Sequence, residues 1–506
     1  MVVFTVSFIL YTALVIGVGL WSARRAGQSD EEYFLAGRSL GPWVASLSAS
    51  ASSESGWVTL GLVGWAFANG VQAFWILPGS LLGFAFNWFV VAGRMRDMAA
   101  ADGSVTLPDF LARRFAERAP VLRIMSVVVI LTAMLLYCGA QFAAAGKAFE
   151  ISFSAVSYQG GVLIGAAIVL IYVTLGGFRA ACWTDLLQAV LMVGVLVVFP
   201  LWLLSDGHGA ASIREGLARG DASLLMFWPT ATGGALIGFL LGSGALGINF
   251  GYMGQPHVLV RFMAMRSRRD ATIGGVIAIT WAALVLSGAV ATGIIVRAMA
   301  EQGAPWATGM LASGDGEYAL VAAAINLAPP LLGGLVLAAI LAAICSTADS
   351  QLVVASSAVA NDIWSRLLDR VHGANHALIN RVTVLAMGAA AVLLVIDEQV
   401  TIYEYVLTYG WAILGASFGP QVILAILWRR ASWWGCIGGM ATGFIVAILW
   451  KVVMDNNITV GETRIQIYNL PLAFLAAIVV NVAVSLLVPD QPVSSGAWKT
   501  SRNSNS

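Results

Sequence analysis

A run of polar residues interrupts a long apolar segment near the start of this chain. Residues 47–57 read LSASASSESGW, with five serines, one glutamate and one glycine inside a stretch that is otherwise apolar from residue 41 to about residue 67. In lipid, each unpaired polar group costs several kcal/mol. We therefore predict that this segment faces a protein-lined cavity and that its helix is broken near residues 52–56. The alternative is a continuous helix whose serines hydrogen-bond to the preceding turn.

The composition places the whole chain in a membrane. Of its 506 residues 59% are hydrophobic and only 10% are charged, and no polar stretch is long enough for a separate soluble domain. The first segment, residues 2–21, has no basic residue before its apolar run, so it is predicted to be a span and not a secretory signal. A net charge of +1 and the lack of a long basic run give no reason to expect a nucleic-acid partner.

Hydropathy predicts an all-α, polytopic membrane protein of about thirteen spans. They lie near residues 2–22, 41–67, 71–94, 121–149, 159–177, 183–205, 233–253, 271–299, 331–361, 380–396, 402–428, 434–454 and 468–488. The loops after odd-numbered spans, with the C-terminal tail, hold 21 of the 27 lysines and arginines, Arg123 and Arg261 among them. Since cytoplasmic loops carry the excess of basic residues, the N-terminus is predicted outside and the C-terminus inside.

A second predicted span also carries signs of interruption. Residues 241–256, LGSGALGINFGYMGQP, contain five glycines, one asparagine and a terminal proline. The two interruptions open two predicted five-helix units, residues 41–205 and 233–428, and an odd number of helices makes the units inverted. Helix 2–22 precedes these units, helices within 434–488 follow them, and 1–490 form one domain with a disordered tail at 491–506. This is the arrangement of alternating-access transporters.

Three acidic residues, Glu54, Asp185 and Asp349, fall within predicted spans away from their ends. A carboxylate costs roughly 2.5–3.5 kcal/mol at the bilayer centre on insertion scales, so function is the default hypothesis. For Asp185 the alternative is an acid favoured by a helix N-terminus. In the segment CSTADSQ, Ser346, Asp349 and Ser350 are spaced to share one helical face, and their oxygens suit an alkali cation. The alternative is that small residues allow close helix packing.

The histidines and cysteines argue against catalysis. The four histidines fall in loops or near predicted span ends, and the four cysteines lie in or beside apolar segments at no metal-ligand spacing. Neither they nor the acids form a paired catalytic set, so the chain is not expected to be an enzyme.

Several motifs resemble those of the sodium:solute symporter family, and most of all its bacterial sodium/proline branch. They occur in the family's order over spans two to eleven: FLAGRSLGPW (34–43) before SASASSESGW, VAGRMR (91–96), TLPDF (106–110), GGFRAACWTDLLQA (176–189), GYMGQPHVLVRFMA (251–264), AAILAAICSTADSQLVVASSA (338–358) and GASFGP (415–420).

The resemblance implies a leucine-transporter-like five-plus-five inverted repeat and assigns site residues. The sodium ligands would be the backbone carbonyls of Ala51, Glu54 and Ala343 with the hydroxyls of Ser346 and Thr347. A second cation site would comprise Asp185, Ser346, Asp349 and Ser350. The substrate pocket would comprise Ser55, Gly56, Trp57, Tyr137, Ile248, Tyr252 and Pro256.

Two positions depart from the sodium/proline branch. That branch usually has an aspartate where this chain has Ser53, and here the carboxylate comes one residue later, at Glu54. It also carries a pocket tryptophan where this chain has Ile248, which removes a large rigid wall. We expect Asp349 to supply the negative charge that Ser53 does not.

The sequence therefore predicts a secondary symporter that couples sodium entry to uptake of a small organic solute, proline or a related amino acid. It would lie in a bacterial inner membrane, with sodium, the solute and the lipid bilayer as partners and an undetermined oligomeric state. One alternative is a proton-coupled symporter of another amino acid or small carboxylate, in which Glu54 carries the proton. Another is a membrane sensor that binds solute without moving it.

Overall fold

The computed structural model describes residues 2–23, 30–115, 119–206, 209–229, 233–368, 374–397, 400–460 and 463–490. Ten helices in these ranges are long and apolar enough to cross a membrane, so the chain is a multi-pass membrane protein. The predicted tail at 491–506 lies outside the described residues.

The first half consists of long helices joined by short ones. The helices are Val2–Ala23, Asp30–Leu35, Pro42–Ser53, Val63–Asn69, Ile76–Phe86, Gly93–Asp102, Leu107–Arg114, Val121–Ser152, Tyr158–Ser205 and Ala210–Gly220. Shorter 3-10 segments occupy Ala36–Arg38, Gly70–Trp75 and Ala222–Leu225, and π-helical turns occupy Trp57–Leu62 and Asn87–Ala92.

The second half repeats this pattern. Its α-helices are Gly233–Leu240, Asn249–Tyr252, Pro256–Met263, Arg268–Glu301, Thr308–Ser313, Ala319–Asn326, Pro330–Ser357, Ala374–Val395, Ile402–Tyr405, Ala412–Leu427, Trp433–Met454 and Asn469–Leu487. The 3-10 segments are Leu246–Ile248 and Gly316–Tyr318, and the π-helical turns are Ala358–Ser365 and Val406–Trp411.

Helical structure stops in both segments that the sequence singled out. Pro42 stands in the first turn of Pro42–Ser53, where its missing N–H is no loss, and the helix ends before Glu54, whose φ and ψ are −96° and 58°. Helical turns resume at Trp57. In the second segment Gly233–Leu240 is followed by turns and by the short helical pieces Leu246–Ile248 and Asn249–Tyr252, and a longer helix begins at Pro256.

The structure differs from the sequence prediction at two other places. The fifth and sixth predicted spans are two helices within Tyr158–Ser205 that meet without a loop, at a kink formed by the non-helical residue Gly177. Its φ of 60° and ψ of −166° suit glycine alone, which is why the kink falls there. A two-stranded antiparallel hairpin, Asn457–Val460 with Thr463–Gln466, joins the last two membrane helices, so the predicted all-α class has one small exception.

Helix Pro330–Ser357 lies at the centre of the bundle. All of its residues from Val336 to Ser357 are buried. It packs against Val2–Ala23, Pro42–Ser53, Val121–Ser152 and Tyr158–Ser205. Its many alanines let these backbones approach closely, which brings its polar residues against the interrupted segment after Pro42–Ser53.

Candidate functional site

The interruption after Ser53 meets the central helix through oxygen atoms. The Ser346 hydroxyl donates to the carbonyl oxygen of Ala51 at 3.0 Å and to that of Ala343 at 3.2 Å. The Thr347 hydroxyl donates to the carbonyl oxygen of Ser52 at 2.9 Å. The structure thus brings together Ala51, Ala343 and Ser346. Thr347 contacts Ser52, one residue beyond Ala51. Hydroxyl and carbonyl oxygens are hard ligands of the kind that sodium prefers.

A buried ion pair lies beside this contact. Arg261 and Asp185 are both fully buried, and Nη2 of Arg261 lies 2.8 Å from Oδ2 of Asp185. The guanidinium also donates to Ser48 Oγ at 2.7 Å, to Ser350 Oγ at 2.5 Å and to the carbonyl oxygen of His257. Two charges removed from water are stable only when they are paired and hydrogen-bonded in this way.

Three of the four predicted second cation ligands lie at or beside that guanidinium, whereas Ser346 bonds to backbone carbonyls instead. Ser350 Oγ donates to Asp349 Oδ1 at 2.9 Å and shares a hydrogen bond of 2.9 Å with Ser52 Oγ. Ser48 Oγ donates to Asp185 Oδ2 at 2.6 Å. Asp185, Asp349 and Ser350 are therefore neighbours, but the positive charge among them is Arg261.

One alternative and one expectation about charged residues are wrong. Asp185 is not an acid at a helix N-terminus, since it lies eight residues beyond the kink at Gly177 and pairs with Arg261. Arg261 is not a loop charge, because helix Pro256–Met263 continues the interrupted segment into the bundle and buries it. The signal for Arg261 was a single cation within the apolar run PHVLVRFM.

The predicted solute residues form two groups. Gln141, which the sequence analysis missed, accepts from the backbone N–H of Gly56 at 2.9 Å and donates to Ser55 Oγ at 3.3 Å. The Tyr137 hydroxyl also donates to Ser55 Oγ, at 3.4 Å. The Trp57 indole donates back to the carbonyl oxygen of Ser53 at 3.1 Å. These side chains fix the backbone just after the interruption.

The second group surrounds Tyr252. The Tyr252 hydroxyl donates to Glu54 Oε1 at 2.8 Å, so it joins the two interrupted segments. The Tyr252 ring lies edge-on to Trp411, with 4.7 Å between ring centroids, and the Trp411 indole donates to the carbonyl oxygen of Ile248 at 3.1 Å. Trp411 was not predicted, because it lies more than 150 residues from its partners.

Pro256 stands apart from these groups. It lines a small cavity together with residues of the TLPDF motif and of the central helix. Its neighbour His257 is fully buried, with its ring edge-on to Tyr137 at 6.3 Å between centroids. The expectation that every histidine lies in a loop or at a span end is thus wrong for His257, because a helix begins at Pro256 inside the bundle.

Thr106 on the wall of that cavity belongs to a second buried ionic cluster. Its hydroxyl donates to Asp362 Oδ2 at 2.7 Å, and Asp362 Oδ1 lies 2.5 Å from Nη1 of Arg123. Asp109 also pairs with Arg123, at 3.2 Å. Arg123, assigned to a loop from the sequence, is thus buried between two carboxylates.

Comparisons with known proteins agree with the motifs. A model described as the sodium:solute symporter family matches residues 33–443. The sodium/proline symporter of Escherichia coli (strain K12) is 35% identical over 449 residues, 88% of this chain and 87% of that protein. Sodium/proline symporter 2 of Staphylococcus saprophyticus is 33% identical over 486 residues, 95% of this chain and 92% of that protein. The osmoregulated proline transporter of Bacillus subtilis (strain 168) is 32% identical over 485 residues, covering 95% and 94%.

A solved structure shares the overall fold. It is a substrate-bound, outward-open state of a Na⁺-coupled sialic acid symporter, with a TM-score of 0.77 and 18% sequence identity. The match covers 97% of this chain and 99% of that one, so the likeness extends over nearly all of both chains.

Proposed function

Because the chain belongs to the sodium:solute symporter family, we propose that it couples inward sodium movement to uptake of proline or a closely related amino acid by alternating access. The relatives named sodium/proline symporters support the solute, at 33–35% identity over most of the chain. The observation that carries the coupling is the meeting of Ser346 and Thr347 with the backbone carbonyls at the first interruption.

The sodium ligands in this proposal are the carbonyl oxygens of Ala51, Glu54 and Ala343 with the hydroxyls of Ser346 and Thr347. An ion held by both the interrupted segment and the central helix stabilises one arrangement of these two elements. The solute then binds beside Trp57, Tyr137 and Tyr252. Each ligand strengthens the other's binding by a coupling energy of about 1–3 kcal/mol.

We assign one sodium ion to each cycle. The oxygens of Asp185, Ser48 and Ser350 already accept hydrogen bonds from the Arg261 guanidinium. A cation entering there would have to displace a charge that cannot leave the protein. Arg261 therefore serves as a resident cation where the family resemblance implied a second ion.

The proposed topology has thirteen spans in a bacterial inner membrane. The interrupted segments open two inverted five-helix repeats, residues 41–205 and 233–428, with helix Val2–Ala23 before them and Trp433–Met454 and Asn469–Leu487 after them. The N-terminus lies outside and the C-terminus inside. The excess of arginine on one side supports this orientation even without the buried Arg261.

One observation favours a second candidate, proton coupling. Glu54 is fully buried and forms no ion pair among the described residues, so its carboxyl could carry a proton. Sodium and a proton are then the two candidates for the ion that drives uptake.

Uptake into proteoliposomes tests both candidates. Labelled proline competes with a panel of amino acids and small carboxylates, under an imposed sodium gradient and, separately, under a pH gradient in sodium-free buffer. We expect accumulation only with sodium, with proline among the strongest competitors. Accumulation driven by the pH gradient alone would replace sodium coupling with proton coupling. Liposomes without protein, and protein in potassium buffer, are the controls.

A further inference from the structure

Among the described residues, no cationic side chain pairs with the Glu54 carboxylate. It is 0% exposed, its Oε1 accepts one hydrogen bond from the Tyr252 hydroxyl, and its Oε2 has no hydrogen-bond partner among the described residues. Another carboxylate near the first interruption, Asp185, has Arg261 at 2.8 Å. A buried carboxylate is stable only when it is neutralised, so Glu54 requires a positive partner from outside the chain.

Arg261 cannot be that partner. Its guanidinium is engaged by Asp185, Ser48, Ser350 and the carbonyl oxygen of His257. Each of these bonds would be lost if the side chain moved towards Glu54. A proton, a sodium ion or a charged group of the solute remain as candidates.

The surroundings of Glu54 favour an organic cation. The Tyr252 ring packs against Phe84 with 4.8 Å between centroids and lies edge-on to Trp411 at 4.7 Å. Sodium prefers a shell of several oxygen lone pairs, whereas the hydroxyl bonded to Glu54 points its proton at the carboxylate. The Tyr252 ring, whose hydroxyl is bonded to this carboxylate, can add cation–π attraction for a positively charged nitrogen.

From this geometry we propose that the Glu54 carboxylate, held by Tyr252, binds the positively charged nitrogen of the transported solute. This inference rests on the proposed symport function and narrows its substrate class. The solute carries a protonated or quaternary nitrogen, as amino acids, imino acids and betaines do. Carboxylates without such a nitrogen are excluded, because they would leave Glu54 unneutralised and place a second negative charge beside it.

The inference also explains why a glutamate can occupy this position. An unpaired carboxylate here would be a defect in a chain that moved neutral or anionic solutes. For a solute with a cationic nitrogen, the same group contributes a charge pair that forms only when the solute is bound, with a charge-assisted hydrogen bond as well where the nitrogen carries a proton.

Competition by three matched compounds tests the proposal. In proteoliposomes of the full chain, labelled L-proline competes with unlabelled L-proline, with N,N-dimethylproline, whose quaternary nitrogen keeps the positive charge, and with cyclopentanecarboxylate, which has the ring and the carboxylate but no nitrogen. We expect the first two to compete and the third to be at least tenfold weaker. Competition by cyclopentanecarboxylate equal to that of proline would overturn the proposal.

Variants of Glu54 test whether this residue causes the preference for a solute with a charged nitrogen. Glu54→Gln should weaken sodium-dependent proline binding at least tenfold, measured with purified protein in detergent, whereas Glu54→Asp should retain more of it. Glu215→Gln removes an exposed carboxylate and should change nothing. Size-exclusion profiles confirm that each variant is folded, and Glu54→Asp keeps the test valid if Glu54→Gln aggregates.

The two other candidate partners of Glu54, a proton and a sodium ion, predict different results. If Glu54 carries a proton, Glu54→Gln will abolish the pH dependence of uptake without changing the order of the competitors. If Glu54 binds sodium, the variant will shift the sodium concentration at half-saturation and leave that order intact. Either result refutes nitrogen recognition. A wild-type chain that takes up no amino acid in sodium would instead refute the proposed function itself.

Discussion

The pairing of Arg261 with Asp185 allows a quantitative prediction. Asp185→Asn leaves the buried guanidinium with neutral hydrogen-bond partners and with Asp349 one side chain away, and Arg261→Met leaves a buried carboxylate. Removing one partner of a buried pair costs about 3–5 kcal/mol, whereas replacing both by neutral groups is often close to neutral. We therefore expect each single variant to be strongly destabilised and the double variant to regain more than half of the loss.

A double-mutant cycle measures this coupling. The four proteins are heated in detergent, and the folded fraction is followed by size exclusion. From the two single losses, the structure predicts an interaction free energy of at least about 2 kcal/mol. Losses that simply add would mean that the two charges do not depend on each other, and they would refute the assignment of Arg261 as the partner of Asp185.

The dependence of uptake on sodium concentration supplies a second test of the pairing of Arg261 with Asp185. With Arg261 as resident cation, wild-type uptake should depend on sodium with a Hill coefficient of about 1. In Arg261→Met the freed Asp185 carboxylate can take a second sodium ion, so the activation curve should become steeper. Two charges moved per solute by the wild-type protein would contradict this assignment.

Three further predictions concern the rest of the site. Ser346→Ala removes one proposed sodium ligand and should raise the sodium concentration at half-maximal uptake about tenfold. Gly83→Ala adds a methyl group that would stand 2.3 Å from Cδ2 of Tyr252, so we expect a displaced ring and solute binding weakened about tenfold, measured by proline binding in detergent. Asp362→Asn removes a carboxylate that pairs with Arg123 and should lower thermal stability by about 3 kcal/mol, measured by heating in detergent.

Each of these variants has a matched control in the chain. Ser356→Ala lies on the same helix as Ser346 and removes a hydroxyl that bonds only to the preceding turn. Gly17→Ala adds a methyl group where no atom lies within 4 Å. Glu215→Gln removes an exposed carboxylate paired with Arg219. If a control changes as much as its test variant, the effect is not specific to the site and the corresponding prediction is wrong.

Some features of the site could be predicted because each depends on residues that are close together in the sequence. The serines of residues 47–57 have no place in lipid, and they indicated the position where the helix stops. Helical spacing likewise placed Ser346 and Ser350 on one face, and both now contact the interrupted segment. These features depend on the chemistry of one segment at a time.

The distant contacts could not be predicted in this way. Arg261 was taken for a loop charge because its partner Asp185 lies 76 residues earlier, and no periodicity connects them. Gln141 is 85 residues from Gly56, and an amide in an apolar helix gives no sign of which backbone N–H it will bind. The hairpin at Asn457–Gln466 was missed because its short strands carry too weak an alternating pattern between two strongly apolar spans.

The hydroxyls of Ser346 and Thr347 affect the uncoupled leakage of ions through the protein. A hydroxyl can offer its lone pairs to a metal ion, or it can turn and give its hydrogen to a nearby carbonyl, as both do here with Ala51 and Ser52. Without bound sodium, the protein can therefore change between its outward-facing and inward-facing states without a ring of exposed lone pairs that would attract other ions. A carboxylate at either position would lack this second role and would favour slippage over tight coupling.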